Sequence, residues 1–306
     1  MNNPQLSTQI VEFNMLSREN KPSSVDTCSV KPLIKWAGGK RQIAAELFSR
    51  FPSDWNLGTY IEPFIGGGAM FLYAAPTRAV IADLNSRLFG FYLQVKNNPE
   101  ALYIGIVEIA DEFNATEGPD KKDFYLSLRS RYNHSAEDSF ESAVLLYALN
   151  KLCFNGLYRE NSKGGFNVPF GQKKQLQYLD EEELRSVSTV LRDTVILNAD
   201  FETTIGQATR GDFVYLDPPY IPIDAASSFT SYHSNGFGVE EQERLASAML
   251  KLKSAGINAM CSNSDTPLTR EIYNGLNIAA IQAPRMVSAK ASGRGSVSEL
   301  VITNYK

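Results

Sequence analysis

The sequence predicts an α/β protein, a mainly parallel sheet interrupted by a helical insertion. From about Tyr60 onward, short apolar stretches alternate with stretches of helical period, the pattern of strands joined by crossover helices. Between about Leu84 and Asp193 the alternation stops and helical period takes over, and at Thr194 the strand rhythm resumes. A chain of 306 residues suits roughly two domains, or one large domain carrying an insertion.

Taken in order, residues 1–30 mix Asn, Ser, Pro and Lys without a sustained period and read as a mobile arm. Thr59–Pro63 is the first strand, leading into a glycine loop and an apolar run that ends at Tyr73. Ala79–Ala82 is the second and stops at Asp83; Thr194–Asn198, Phe213–Leu216 and Ile257–Cys261 continue the sheet. Leu245, Ala248, Met249 and Leu252 recur at helical spacing, and Gly256 stands where a helix stop belongs. Ile278–Ala283 and Leu300–Asn304 are two final strands joined by the loop Pro284–Ser298. Within the insertion, Leu88–Lys96, Glu100–Phe113, Phe124–Arg131 and Phe140–Leu152 carry apolar positions at 3.6-residue period. A glycine-rich, polar and basic segment, Asn155–Lys174, follows them. There is no internal repeat and no low-complexity tract.

Composition narrows the function classes. At 43% hydrophobic residues, with 14 Tyr and 17 Phe, the chain can bury a sizeable core and is not a disordered chain. No run of about 18 apolar residues exists to span a membrane, and Met1–Lys31 lacks the apolar centre of a signal peptide. Cys28, Cys153 and Cys261 are odd in number and far apart, which argues against a disulfide framework and for a reducing, cytoplasmic setting. Together with His134 and His233 they show no zinc-ligand spacing, so no metal is expected. The net charge of −4 speaks mildly against a nucleic-acid partner, but its distribution reverses that reading. Residues 151–174 hold Lys151, Arg159, Lys163, Lys173 and Lys174 against Glu160 alone, a net of +4, and residues 285–294 add Arg285, Lys290 and Arg294 without an acid. Basic islands on an acidic protein are the electrostatic footprint that DNA phosphates require, although charge runs are more often solvated faces.

Two motifs carry chemistry. Glu62-Pro63-Phe64-Ile65-Gly66-Gly67-Gly68 follows a strand and opens a helix, where glycines let the backbone approach a nucleotide-like ligand and the helix start offers free N–H groups. Asp83, at the end of the next strand, is placed to accept hydrogen bonds from ribose hydroxyls. The dinucleotide fingerprint is half met, because its third glycine position is Phe71. That disfavours a dehydrogenase and suits S-adenosylmethionine, which has a ribose and no phosphate to cradle. A glycine turn that binds nothing is the bland alternative.

Asp217-Pro218-Pro219-Tyr220 ends the strand Phe213–Leu216. Two consecutive prolines donate no backbone N–H and hold a stiff, extended turn with free carbonyls. A carboxylate before them and an aromatic ring after them form a slot for a flat ring bearing an exocyclic amine. The Asp217 side chain and the Pro218 carbonyl would accept the two amino hydrogens while Tyr220 stacks on the ring. An aromatic amine is a poor nucleophile because its lone pair is conjugated; two acceptors draw the nitrogen toward a tetrahedral shape and aim that lone pair. A strand-terminating turn with a capping aspartate is the bland alternative here.

The glycine loop followed at long range by Asp-Pro-Pro-Tyr resembles the amino-methylating, S-adenosylmethionine-dependent DNA methyltransferases. The resemblance extends to Lys35-Trp36-Ala37-Gly38-Gly39-Lys40, Asn155-Gly156-Leu157-Tyr158-Arg159, Phe166-Asn167-Val168-Pro169-Phe170-Gly171, Ser262-Asn263-Ser264-Asp265-Thr266 and Arg294 through Tyr305. Together these resemble the Dam-type, D12-class DNA adenine-N6 methyltransferases, including modification enzymes of restriction systems, over roughly residues 31–305. The leading 30 residues lie outside the match.

The resemblance implies a Rossmann-like methyltransferase sheet with an inserted helical target-recognition domain. Its catalytic domain would comprise 31–87 and 194–306, and its insertion 88–193 with a hairpin at about 154–171. It implies S-adenosylmethionine as cofactor, held by Trp36, Lys40, Phe64, Gly66, Gly68, Asp83, Asp200, Phe201 and Asp217. Lys40 would reach the methionine carboxylate, and Asp200-Phe201 would sit by the adenine. Asp217, Pro218, Pro219 and Tyr220 would be catalytic. On duplex DNA, Arg159 would read a guanine, Phe154 would fill the stack after the adenine leaves it, and Asn155 would belong to the inserted hairpin. Leu157 and Pro169 would make apolar base contacts and Lys35 would approach the first base, while Arg285, Ser288, Lys290 and Arg294 would meet phosphates. The implied target word is GATC, and the implied enzyme is a cytoplasmic monomer without metal or membrane attachment. Cytosine-N4 methylation, action on RNA or a protein amide, and a catalytically inactive DNA-binding regulator are the alternatives. Asp rather than Ser before the prolines favours adenine over cytosine, the basic hairpin favours duplex DNA, and the intact motifs weigh against an inactive regulator.

Overall fold

A computed structural model describes residues 30–221, 237–284 and 296–306. The strands β1 (Tyr60–Glu62), β2 (Ala79–Ala82), β3 (Thr194–Leu197), β4 (Phe213–Leu216) and β5 (Asn258–Ser264) pair in parallel, in the order β3-β2-β1-β4-β5. The last two, β6 (Asn277–Pro284) and β7 (Ser296–Thr303), are antiparallel to each other, and β7 inserts between β5 and β6 to complete a seven-stranded sheet. β1, β2 and β4 are buried along their whole length, which is why they read as apolar runs without polar alternation. Successive residues still part to opposite faces: Tyr60 joins one core with Ile81 and Phe213, Ile61 the other with Val80 and Val214.

Ten helices are described: α1 (Ala44–Phe48), α2 (Ala69–Ala74), α3 (Ser86–Asn97), α4 (Pro99–Ala115), α5 (Asp120–His134), α6 (Phe140–Leu152), α7 (Glu181–Leu191), α8 (Phe201–Ile205), α9 (Val239–Ala255) and α10 (Pro267–Ile272). Their ends follow local chemistry. The Asn85 side chain accepts from the backbone N–H groups of Arg87 and Leu88 at the start of α3, and Asp180 does the same for Glu182 and Glu183 at α7. Gly256, at φ +71°, closes α9.

Helices α3 to α7 occupy the chain between β2 and β3, as the change of rhythm predicts. Among them α6 is buried from Ser142 through Asn150 and again at Leu152, the mark of a helix apolar on every side. Arg87 crosses from α3, with Nη1 donating to Ser142 Oγ at 3.0 Å and to Ser135 Oγ at 3.2 Å, and its guanidinium lies 4.2 Å from the centre of the Tyr132 ring. The helical core is continuous with one sheet face, since Leu88, Leu102 and Leu149 cluster with Tyr60 and Phe213.

The sequence reading misses α1, α7, α8 and α10 as elements and ends the fifth strand at Cys261, whereas β5 runs on to Ser264. Ser262, Asn263 and Ser264 are polar yet buried, because they hydrogen-bond inside the fold rather than to water. Residues 1–29 of the 1–30 arm, and Arg285, Ser288, Lys290 and Arg294, lie outside the described residues. Leu149→Ala should destabilise the fold by about 2–5 kcal/mol, the range for emptying a fully packed leucine site, read from the midpoint of denaturant unfolding.

Candidate active site

The strand order reverses at β1: β2 and β3 lie to one side of it and β4 and β5 to the other. A crevice therefore opens at the carboxyl ends of β1 and β4, the usual place for ligands on an open parallel sheet. The glycine loop leaves β1 here. Its Ile65 N–H donates to Ala82 O at 2.9 Å, and its Gly66 N–H to Asp83 Oδ2 at 3.1 Å. Asp83 Oδ1 accepts from Asn85 N at 3.0 Å, so this carboxylate fixes the loop from the end of β2. Burial nevertheless raises its pKa, against those backbone hydrogen bonds. Gly66 has φ +48°, and a Cβ there would lie 2.9 Å from Trp36 Cδ1. The loop needs glycine to rest against that indole.

Trp36 in turn stacks on Tyr158, with ring centroids 4.8 Å apart, and so joins the glycine loop to the polar hairpin. Phe64 stacks on Phe201 at 5.6 Å, and Phe237 meets both rings edge-on. Asp200 caps α8 by accepting from Glu202 N at 2.9 Å, and it lies 3.3 Å from Arg244 Nη2.

Asp217 stands at the end of β4. Lys40 Nζ lies 2.8 Å from Asp217 Oδ1, donates to Gly38 O at 2.5 Å, and sits 4.5 Å from the centre of the Tyr220 ring. Only 3% of Lys40 is exposed, so its ammonium acts in a poorly solvated setting. Burial pushes the Asp217 carboxyl above its ordinary value, while Lys40 opposes that shift and Glu299 adds to it. Glu62, buried at the end of β1, accepts a 2.6 Å hydrogen bond from Tyr60 Oη. Burial holds its carboxyl well above the ordinary range, and the Tyr60 hydroxyl only partly offsets this.

The Asp-Pro-Pro-Tyr turn is supported from behind. Gln242 Nε2 donates to Pro219 O at 2.8 Å, and its Oε1 accepts from Tyr273 Oη at 2.8 Å and Asn263 Nδ2 at 3.0 Å. The two acceptor contacts leave only one orientation for that amide. Ser264 Oγ donates to Ile221 O at 2.5 Å. The Pro219 and Ile221 carbonyls of the turn are thus both engaged.

Of the residues named from the sequence, Lys40, Asp217 and Tyr220 meet directly, and Gly66 meets both Trp36 and Asp83. Glu62, Gln242 and Glu299 carry no role in the sequence reading. Gln242 had a legible signal, a polar residue three positions before Leu245 on the buried stripe of α9. Glu62 stood in the quoted motif, and Glu299 gave no signal without its partner.

The hairpin begins with a 3-10 turn at Phe154–Gly156, where Asn155 at φ +57° and Gly156 at φ +67° are both left-handed. A Cβ on Gly156 would lie 2.7 Å from Lys35 Cδ. Asn150 clamps the Lys35 backbone, its Oδ1 accepting from Lys35 N and its Nδ2 donating to Lys35 O, both at 2.8 Å. Bridges pair Cys153 with Phe170 and Glu160 with Phe166. From this frame Lys35, Phe154, Asn155, Leu157, Arg159 and Pro169 are exposed, Phe154 to 52%. Arg159 Nε donates to Asn167 Oδ1 at 2.7 Å.

Residues 36–287 match the family model for the D12 class N6 adenine-specific DNA methyltransferase. The chain belongs to that family. The chain is 42% identical over 282 residues to the type II methyltransferase M1.LlaDCHI of Lactococcus lactis subsp. cremoris, an alignment covering 90% of this chain and 96% of that protein. It is 39% identical to the type II methyltransferase M.MjaIII of Methanocaldococcus jannaschii, over 90% of this chain and 99% of that one. It is 36% identical to the DNA adenine methylase of Haemophilus influenzae, over 93% and 97%. This D12-class protein is an adenine-specific DNA methyltransferase. Among the described residues, no group of His, Cys, Asp and Glu is arranged to hold a metal ion and no helix is long and apolar enough to cross a membrane.

The raised Glu62 carboxyl carries a pH signature. A carboxyl whose pKa is higher folded than unfolded contributes stability below the unfolded value of about 4.3, and this is lost as pH rises through the folded value. Glu62→Gln keeps an acceptor for Tyr60 and removes the ionisation. Thermal melts should therefore show the variant gaining on the wild type as pH rises from 4 toward neutrality, with little difference at the acid end.

Proposed function

We propose that the protein methylates the N6 amine of an adenine turned out of duplex DNA, with S-adenosylmethionine as donor and GATC as the target word. The observation that carries this reading is the Asp217 turn at the end of β4, set beside the glycine loop of β1, with Lys40 bridging the carboxylate and the Tyr220 ring.

The donor set suits S-adenosylmethionine. Asp83 at the carboxyl end of β2 offers oxygens to ribose hydroxyls, Lys40 offers a cation to a carboxylate, and Phe64 with Phe201 offers an aromatic wall to a purine. Trp36, Gly66 and Gly68 line the same loop, and Asp200 would serve from the start of α8. When bound, the cofactor supplies an electrophilic methyl carbon on a positive sulfur. The chain's own residues do the rest. Tyr220 stacks on the extruded base, Asp217 and the Pro218 carbonyl accept the two hydrogens of its amine, and the nitrogen lone pair turns toward the methyl carbon. Asp217 works as an acceptor and orienter, since the amine proton becomes acidic once the methyl group has arrived.

The inserted helices supply target recognition. Phe154 and Leu157 are apolar side chains exposed on an otherwise polar hairpin, and burial against bases gives them a purpose that solvent does not. Phe154 fills the gap left by the adenine, offsetting an extrusion cost on the order of a few kcal/mol. Lys35, Asn155, Leu157 and Pro169 face neighbouring bases, and Arg159 reads a guanine. Arg285, Ser288, Lys290 and Arg294 meet phosphates.

Incubation with labelled S-adenosylmethionine and unmethylated GATC duplexes tests the whole reading. Label in N6-methyladenine within that word supports it; label elsewhere, or none, refutes it. Asp217→Ala should lower kcat by about a hundredfold or more while leaving most DNA binding, measured by single-turnover transfer and by filter binding. Arg159→Ala should cost about 1–3 kcal/mol of discrimination at one guanine, seen by comparing rates on duplexes altered at each base. An equal loss on every sequence would mark a phosphate contact instead.

A further inference from the structure

Glu299 lies on β7, paired with Ser264 of β5 and Ile281 of β6. Its neighbours on the strand, Leu300, Val301 and Ile302, are buried apolar residues. Tyr220 Oη donates to Glu299 Oε2 at 3.0 Å. Glu299 itself is half-buried, and it lies near enough to Asp217 to disfavour ionisation of that residue. A second carboxylate beside Asp217 is unfavourable on charge alone, and its hydrogen bond from the Tyr220 hydroxyl, which reaches it from the turn, gives that placement a purpose.

We infer that Glu299 is a positioning residue, holding the Tyr220 ring through its hydroxyl in the plane where the ring stacks on the target base. The inference rests on the proposed role of Tyr220 as that platform. The surrounding contacts explain what the Glu299 hydrogen bond adds. Ser264, opposite Glu299, fixes the Ile221 carbonyl, and Gln242 fixes the Pro219 carbonyl. The backbone on both sides of Tyr220 is therefore anchored, and Lys40 lies over the ring face. What these contacts leave open is rotation and tilt of the ring about its side-chain bonds, and a hydrogen bond at the far end of the ring restricts that motion. Ser298, the preceding residue on β7, donates to Asp265 Oδ2 at 2.7 Å, and Asp265 pairs with Arg270 at 2.7 Å. The strand segment that presents Glu299 is thus held by its side chains as well as by its ladder.

The test uses the full-length protein and steady-state methylation of GATC duplexes. E299A should lower kcat by about tenfold while KM for DNA changes by less than about threefold. E299Q, which keeps an acceptor for the hydroxyl, should stay within about threefold of wild-type kcat. Y220F removes the other half of the bond together with a hydrogen bond to Asp217 and should be at least as slow as E299A, and the double variant Y220F/E299A should be no slower than Y220F, because the Glu299 contact is already gone in that variant. An unchanged kcat in E299A, an E299Q as slow as E299A, or losses that multiply in the double variant would each overturn the inference. Should E299A fail to fold, Y220F and E299Q decide alone: a loss of about tenfold or more in the first with near-native activity in the second supports it, and any other combination overturns it. Y220A separates the two levels. Native activity there removes the platform role itself, whereas an impaired Y220A beside a native E299A removes only the role of Glu299.

Discussion

Lys40 brings an ammonium against Asp217, a carboxyl that interacts electrostatically with both Glu62 and Glu299, and the order of the site follows from how each of the three is partnered. Asp217 takes the direct ion pair. Glu62 takes the Tyr60 hydroxyl and Glu299 the Tyr220 hydroxyl. Each carboxylate thus has its own donor, which is the condition for polar groups in a low-dielectric interior to cost less than they hold together. Breaking a buried pair by removing one partner typically costs about 3–5 kcal/mol, since it strands the other charge. Lys40 accordingly ties the segment before α1 to the end of β4.

The sheet supplies the distances. Because β1 and β4 are adjacent and parallel, whatever follows each of them emerges at the same edge, and residues far apart in the chain become neighbours. β5 and β7 complete the arrangement from the far side of β4. Ser264 and Glu299 occupy paired positions on those two strands, one addressing the Ile221 carbonyl and the other the Tyr220 hydroxyl. The antiparallel strand therefore helps to hold the Asp-Pro-Pro-Tyr turn as well as covering β5.

Much of this was legible in the sequence, and for identifiable reasons. Ala79–Ala82, Phe213–Leu216 and Phe140–Leu152 agree with the structure to the residue, because their apolar stretches end at Asp83, Asp217 and the polar hairpin. The glycine loop and the Asp-Pro-Pro-Tyr turn were readable because backbone requirements force rare residue types. Helix α8 was missed because five residues show no period, and α7 because its apolar positions, Leu184, Val187 and Leu191, stand among charges. Glu299 escaped for a different reason. Its importance lies in what it meets across the fold, and no local pattern records a partner 79 positions away, as Tyr220 is from Glu299.

The hairpin divides its labour between a concealed frame and a displayed rim. Gly156, Phe166 and Val168 are buried and Tyr158 is wedged against Trp36, so exchanging them would disturb the wall of the neighbouring crevice. Phe154, Asn155, Leu157 and Pro169 project outward, where substitutions of ordinary surface side chains usually change stability by less than about 0.5 kcal/mol. Asn155, with its left-handed backbone, is the member of the rim for which shape still limits the choice. Under the proposed role of this rim in reading bases, a lineage is free to rewrite most of the letters it recognises while leaving the frame underneath untouched, and new specificities are separated from old ones by mutations that the folded protein scarcely registers.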